Sequence, residues 1–143
     1  MKLRSLKFKS VKSTNDIALM FIKKNNIKAS IILSEHQTKG RGTMGKKWIS
    51  KKGNLFLSIF FDMSKKKIDF KKFAIINAYL LKSILAKKFS NKIKIKWPND
   101  LLFKKKKICG ILQETVINAG KRFLIVGVGI NTNLDPKSRS FSS

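Results

Sequence analysis

Lys107-Ile108-Cys109-Gly110-Ile111-Leu112-Gln113-Glu114-Thr115-Val116-Ile117 and Arg122-Phe123-Leu124-Ile125-Val126-Gly127-Val128-Gly129-Ile130 are two β-branched, apolar runs separated by Asn118-Ala119-Gly120-Lys121. Such runs, broken by an Asn/Gly-containing turn, read as the two strands of a hairpin. Upstream, Lys92 to Trp97 alternates Lys with Ile, Ile and Trp, a strand with one wet face, and Leu55 to Phe61 and Ala29 to Leu33 are shorter apolar strands. Between them, Asp69 to Phe89 carries Phe70, Phe73, Ile76, Leu80, Ile84 and Leu85 at spacings of three and four, which predicts the main core helix. Ser13 and Thr14 before Asn15-Asp16 and the apolar set Ile17, Leu19, Met20 and Phe21 form an N-cap signal, followed by a helix to about Asn25. Strands dominate, with two helices inserted among them. The expectation is an α+β fold, a mixed and mostly antiparallel sheet with helices packed on one face.

Gln37 to Gly53 holds four glycines and neither helical nor strand period. It reads as a long, mobile loop, and loops of that length inside compact domains are usually functional. No internal repeat or Pro/Gly/Ser linker divides the chain, so residues 1–136 read as one domain and residues 137–143 as a polar tail.

Composition sets the outer bounds. At 143 residues and 43% hydrophobic content the chain has apolar material for a core, so its net charge of +26 does not mean disorder. Cys109, alone, forms no internal disulfide, and one Cys with one His (His36) cannot complete a four-ligand zinc site. The longest apolar stretches, Phe73–Leu81 and Phe123–Ile130, fall well short of the roughly 20 residues that span a bilayer. Residues 1–10 lack a signal-peptide apolar core. These features predict a cytoplasmic protein without a membrane partner. The charge invites a nucleic-acid reading, but Arg stands only at positions 4, 41, 122 and 139, and the lysines are spread along the whole chain. Readers of bases and phosphates favour the bidentate Arg fork. Nonspecific polyanion binding is therefore expected, and no specific nucleic-acid partner.

Three segments carry candidate chemistry. In Gly40-Arg41-Gly42-Thr43-Met44-Gly45-Lys46-Lys47-Trp48, glycines let backbone approach a ligand, and Arg41 and Lys46 supply charge for phosphate. A flexible surface hairpin would look the same. It is not a Walker A loop, and it precedes a strand rather than opening a helix, unlike a dinucleotide fingerprint. In Lys96-Trp97-Pro98-Asn99-Asp100, Pro98 breaks the strand and leaves Asn99 and Asp100 at its end. A carboxylate there could hold Mg²⁺ bridging phosphates, or simply cap a turn. Lys107, beside Gly110, could neutralise a carboxylate or phosphoanhydride, or belong to a solvated Lys104–Lys107 turn. In Gly127-Val128-Gly129-Ile130-Asn131, paired glycines suggest close approach by a ligand or another backbone, and the Asn131 amide suits an adenine edge. A bulge with a turn Asn is the plainer reading. No nucleophile–base pair stands out: His36 reads as a satisfied structural residue and Cys109 as packing. That points away from hydrolysis, toward chemistry done by orienting two substrates in an electropositive pocket.

Together, Ser13-Thr14-Asn15, Glu35-His36-Gln37-Thr38-Lys39-Gly40-Arg41-Gly42, Lys96-Trp97-Pro98-Asn99-Asp100, Lys107-Ile108-Cys109-Gly110 and Gly127-Val128-Gly129-Ile130-Asn131 resemble the biotin–protein ligases, in order, across residues 13–131. The resemblance implies the biotin/lipoate ligase fold, similar to that of class II synthetases. It also implies an enzyme that joins biotin to ATP, giving biotinyl-5′-AMP and pyrophosphate, and then passes biotin to a lysine of a carboxylase carrier domain. By position, Ser13, Thr14 and Gln37 look like partners of the biotin ureido ring. Asn15, Gly40, Gly42, Thr43 and Gly110 complete the implied biotin set. Arg41 and its backbone resemble the loop that folds over biotin and phosphates, and Trp48 a wall beside the biotin tail. Lys107 is similar to the lysine at the biotin carboxyl and acyl-phosphate, so Lys107 and Arg41 are the implied catalytic pair. ATP would meet Arg41, Lys46, Trp48, Asn99, Asp100 and Asn131, with Mg²⁺ at Asp100.

The chain departs from the family's pattern in two ways. Members often carry a basic residue or Gln where this chain has Thr43, which predicts a looser hold on the adenylate. The family's catalytic domain usually continues well past the Asn131 position, and some members carry N-terminal DNA-binding helices, so no repressor role is expected here. Lipoate–protein ligase shares the fold and chemistry; the Lys-Trp-Pro-Asn-Asp and Gly-Arg-Gly segments favour biotin. A degraded ligase-like module that binds without turnover is the other alternative. The implied partner is the carrier domain, whose acidic surface a +26 chain would attract. The family associates through sheet edges, so a homodimer is implied too, although lysines blunt those edges here.

Overall fold

The computed structural model describes residues 2–132; the polar tail at 137–143 lies outside them. The chain runs β1 (Arg4–Phe8), α1 (Thr14–Lys23), β2 (Ser30–Ser34), a single 3₁₀ turn (Thr43–Gly45), β3 (Leu55–Asp62), α2 (Phe70–Lys88), β4 (Lys94–Lys96), β5 (Asp100–Phe103), β6 (Lys106–Asn118) and β7 (Lys121–Ile130). Seven strands form one sheet in the order β1-β2-β3-β7-β6-β5-β4. Only β1 and β2 pair in parallel; every other neighbouring pair is antiparallel.

The β6–β7 hairpin is the centre of the sheet. Ala119 (φ 49°) and Gly120 (φ 74°) form its two-residue turn, both in the left-handed region that a tight hairpin of this twist requires. From Phe123 to Val128 every residue of β7 is buried. A strand apolar on both faces must be covered on both, and that decides where the helices go. Phe123 and Ile125 pack with Phe60, Ile32 and, from α1, Ala18 and Ile22. Leu124, Val126 and Val128, pointing the opposite way, pack with Ala78 and Leu85 of α2 and with Leu101, Cys109 and Ile111. The mixed sheet is as expected, but the helices lie one on each face rather than together.

The second correction concerns α2. Asp69 caps it, accepting a hydrogen bond from the Lys72 N–H at 2.8 Å. Yet only Ala78 and Leu85 are buried, and Phe70, Ile76, Leu80 and Ile84 of the expected core stripe are exposed. The helix lies mainly over the β4–β5–β6 side, through Phe73, Ala78, Leu81 and Leu85, with Phe73 reaching Phe61 of β3. Two strands also escaped the pattern reading, β1 and β5. Among the described residues no helix is long and apolar enough to cross a membrane.

Candidate active site

The site lies on the α1 face of the sheet, where the α1 N-terminus meets β3, β6 and β7. Ser13, Thr14 and Asn15 are all buried there. Ser13 takes the extended N-cap backbone but makes no side-chain cap bond. Gln37 supplies the cap from a distance, its Oε1 accepting from the Thr14 N–H at 2.8 Å and from Thr14 Oγ1 at 3.2 Å. Gln37 Nε2 in turn donates to Ser50 Oγ at 3.1 Å. From β3, Ser58 Oγ donates a short hydrogen bond to Asn15 Oδ1 and lies 2.7 Å from Thr14 Oγ1. Asn15 Nδ2 donates to Glu114 Oε2 at 2.8 Å and to the Leu112 carbonyl at 3.3 Å. Gly127 makes room for this amide, since a Cβ there would sit 2.3 Å from Asn15 Oδ1.

Gln37 to Gly53 folds into a hairpin over that floor. Arg41 and Lys47 form an antiparallel bridge, the Gly42 N–H donates to the Lys46 carbonyl at 2.7 Å, and the Trp48 N–H to the Gly40 carbonyl at 2.8 Å. The hairpin lays the Trp48 ring on Gly110 and Gly129, where added Cβ atoms would each come within 2.5 Å of the ring. The indole Nε1–H is buried without a hydrogen-bond partner. Its seat is therefore one of apolar contact, and it carries the cost of an unsatisfied donor.

The cations are already paired. The Arg41 fork grips Glu114, Nη1 to Oε1 at 2.7 Å and Nη2 to Oε2 at 2.9 Å. Its other edge meets Asp16 Oδ1, at 3.0 Å from Nε and 2.8 Å from Nη2. Hydrogen bonding to Glu114 raises the Arg41 pKa above its usual value, against the effect of burial and together with the charges of both carboxylates. Burial alone would push the Glu114 carboxyl up, but the Arg41 fork, the Asn15 amide and the Arg41 charge hold it below its ordinary value. Lys107 Nζ lies 2.8 Å from Asp100 Oδ1 and 5.2 Å from the centroid of the Trp48 ring.

Of the residues expected from sequence, Ser13, Thr14, Asn15, Gln37, Arg41, Gly42, Thr43, Trp48, Asn99, Lys107 and Gly110 line one cavity, with Ile111, Leu112, Gly127, Val128 and Gly129. The cavity is about 40 Å³, against ~300 Å³ or more for small-molecule pockets, because Trp48 fills the cleft. Gly40 is buried within the hairpin, Lys46 is exposed on it, and neither lines the cavity. Asn131 lines a different cavity, of about 260 Å³, beside Leu85, Phe89, Ile93 and Phe103. Its amide is held by Asn54 Nδ2 at 3.0 Å and donates to the Lys107 carbonyl at 3.4 Å. His36 is exposed and pairs with Ser10. Ser58, Glu114 and Asp16 are the participants that pattern reading missed.

Asp100, expected to hold Mg²⁺, instead sits against Lys107, and among the described residues no three His, Cys, Asp or Glu side chains cluster as metal ligands. A single carboxylate at Asp100 is what a Mg²⁺ carried in on nucleotide phosphates would need, since such an ion keeps several waters and takes one or two carboxylates from the protein.

A mixed sheet with a polar helix N-terminus, a glycine hairpin and a lysine gathered around one cleft defines an α+β domain with a single built polar site on its α1 face. The chain matches the biotin/lipoate A/B protein ligase family over residues 7–131 and belongs to it. It is 34% identical over 101 residues to the bifunctional ligase/repressor BirA of Escherichia coli, covering 69% of this chain and 32% of that protein. The fold is similar to that of the biotin acetyl coenzyme A carboxylase synthetase of Helicobacter pylori with bound biotinylated ATP, with 29% identity, TM-score 0.77, and coverage of 91% of this chain and 61% of that one. It is also similar to the biotin protein ligase of Aquifex aeolicus in complex with biotin and ATP, with 30% identity, TM-score 0.74, and coverage of 90% and 52%. The chain thus spans about a third of the E. coli relative's length.

Proposed function

We propose that this domain activates biotin with ATP and passes it to a lysine of a carboxylase biotin-carrier domain. The carrying observation is that the α1 N-terminus, Gln37, the hairpin, Trp48 and Lys107 converge on one cleft floored by glycines. Thr14 and Gln37 offer paired donors and acceptors suited to a ureido ring, and the flat floor at Gly110 and Gly129 suits a ring lying along the sheet. A ligand entering there lifts Trp48 from its seat, and an acceptor on the ligand can satisfy the indole N–H.

A biotin carboxylate oxygen attacks the α-phosphorus of ATP. The new acyl–phosphate bond forms as the bond to pyrophosphate breaks, and pyrophosphate leaves with the electron pair. Two anions must approach, so a cation at the reacting atoms lowers the barrier. Lys107 fills that role: as the anions arrive, its ammonium exchanges Asp100 for them. The carrier lysine's amine then attacks the acyl carbon, AMP leaves, and the amine's proton is lost. The protein forms no covalent bond with biotin, and the hairpin closing over the anhydride keeps water away. The net charge of +26 would draw an acidic carrier surface.

The test follows ATP–pyrophosphate exchange and carrier labelling separately, with lipoate as competitor to biotin. Biotin-dependent exchange that lipoate does not suppress supports the reading; exchange driven by lipoate instead would replace it. Lys107→Ala should slow exchange at least about 100-fold with a smaller effect on biotin affinity. Loss of affinity alone would mark a module that binds without turning over.

A further inference from the structure

The Arg41 guanidinium is the obvious candidate to meet phosphates, yet it has little left to offer them. We infer that Glu114, with Asp16, is a positioning residue that makes Arg41 the tether of the glycine hairpin rather than a phosphate ligand. This rests on the adenylation reading of the cleft for its consequence in catalysis, but not for the tether itself.

The chain has only seven acidic residues, and two of them meet at this one arginine. Both Glu114 oxygens are engaged, Oε1 by Arg41 at 2.7 Å and Oε2 by Arg41 at 2.9 Å and Asn15 at 2.8 Å. Arg41 answers with Nε, Nη1 and Nη2 together, a planar fork that a lysine cannot reproduce. Glu114 stands on β6, in the middle of the sheet, and points to the α1 face; its neighbour Gln113 points to the other, bonding Asn77 and the Phe70 carbonyl of α2. Asn15 is itself seated on Gly127 and held by Ser58. A rigid line therefore runs from the central hairpin through Asn15 and Glu114 to Arg41. Arg41 is bridged to Lys47, so fixing it fixes the base of the loop that carries Thr43 and, one residue beyond Lys47, Trp48. A pairing this close, part-buried and bidentate holds geometry better than an exposed ion pair would.

Hydrogen exchange on the ligand-free protein reads the tether directly. Glu114→Gln keeps an acceptor for Asn15 but removes the charge-assisted fork. It should speed exchange at the Gly42, Lys46 and Trp48 amides about tenfold or more, while β7 amides keep their protection. Arg41→Lys should do the same, and the double variant should be no worse than either single one. Asp16→Asn, on the exposed side, should show a smaller change. In pyrophosphate exchange, the tether predicts that Glu114→Gln and Arg41→Lys both raise the biotin KM severalfold with kcat largely kept. Unchanged exchange at the three hairpin amides in Glu114→Gln would overturn the inference, as would a kcat loss confined to Arg41→Lys. If the amides respond but the parent protein shows no pyrophosphate exchange, the tether stands and the adenylation reading fails.

Discussion

Gly110 and Gly129 are register partners across β6 and β7, and the Trp48 ring lies over both. A methyl at Gly129 would come within 2.5 Å of the ring, but the ring belongs to a loop and can shift, whereas the strand backbone cannot. Gly129→Ala should therefore displace Trp48 without unfolding the sheet. Strand alanine gains about 0.5–1 kcal/mol over glycine and the lost ring contact offsets it, so the unfolding free energy should move by less than about 1 kcal/mol. In a Trp97→Phe background, tryptophan emission should shift to the red, and, under the adenylation reading, the methyl standing on the floor should lower biotin affinity about tenfold. Unaltered emission would mean that the ring does not rest on this floor.

Glu114 predicts how stability depends on pH. Its carboxyl sits below the ordinary 4.5 in the folded protein, because the Arg41 fork and Asn15 outweigh burial. The unfolded chain thus binds its proton at higher pH than the folded one, so stability rises with pH through that window. The contribution is fully present above the ordinary value and is lost as pH falls through the depressed one. Urea unfolding should show the parent protein losing stability below about pH 4.5 faster than Glu114→Gln does. Parallel curves would count against the pairing.

How far these features could be read from sequence depended on whether each left a local pattern. The glycine hairpin, Lys96-Trp97-Pro98-Asn99-Asp100 and Lys107 were legible because each lies in a short run whose residue types and order resemble those of the biotin–protein ligases. Most of the expected site does gather on one cavity. Glu114, Asp16 and Ser58 carry no such pattern; each is one polar residue in an apolar element, and only tertiary pairing gives it meaning. Ser58 did leave a trace, standing on the same inward face as Phe56 and Phe60, where a hydroxyl must find a partner. The unbroken apolar run Phe123–Val128 also held the placement of both helices, since a strand without a wet face needs two covers. β1 escaped because its Lys and Ser alternate with few apolar residues. β5 escaped because Pro98 reads as a strand end, when the chain in fact turns there and pairs back, Lys96 against Asp100. The exposed stripe on α2 shows the converse: period alone marks a helix but does not say how wide a face its neighbours cover.

Cys109 should be chemically silent in the native protein. It is fully buried in the α2-side core, and burial, with the Asp100 charge adding to it and Lys107 opposing, pushes its thiol up to about 12. The thiolate is the reactive form, so at pH 8 iodoacetamide should label the folded protein far more slowly than the urea-unfolded chain. The labelling rate should follow global unfolding. Rapid native labelling would require a local opening of β6 that its pairing with both β5 and β7 argues against.

Thr43 opens the 3₁₀ turn at the tip of the hairpin and lines the cleft, with only a long contact, 3.5 Å, from Asn99 Nδ2 to its hydroxyl. Under the adenylation reading, a hydroxyl here offers the activated intermediate no charge. An arginine at the same position would place a guanidinium beside phosphate oxygens, with charge-assisted hydrogen bonds worth about 1.5–3 kcal/mol each. Even a fraction of that energy slows release severalfold. Thr43→Arg should therefore retain biotinyl-5′-AMP longer, measured as release of labelled adenylate after a single turnover without carrier. The fold should be untouched, since Thr43 is only part-buried and its neighbour Met44 is almost fully exposed, at 96%. Release from the parent protein no faster than from Thr43→Arg would show that the hairpin tip does not hold the intermediate, and that closure over it depends on Trp48 and Lys107 instead.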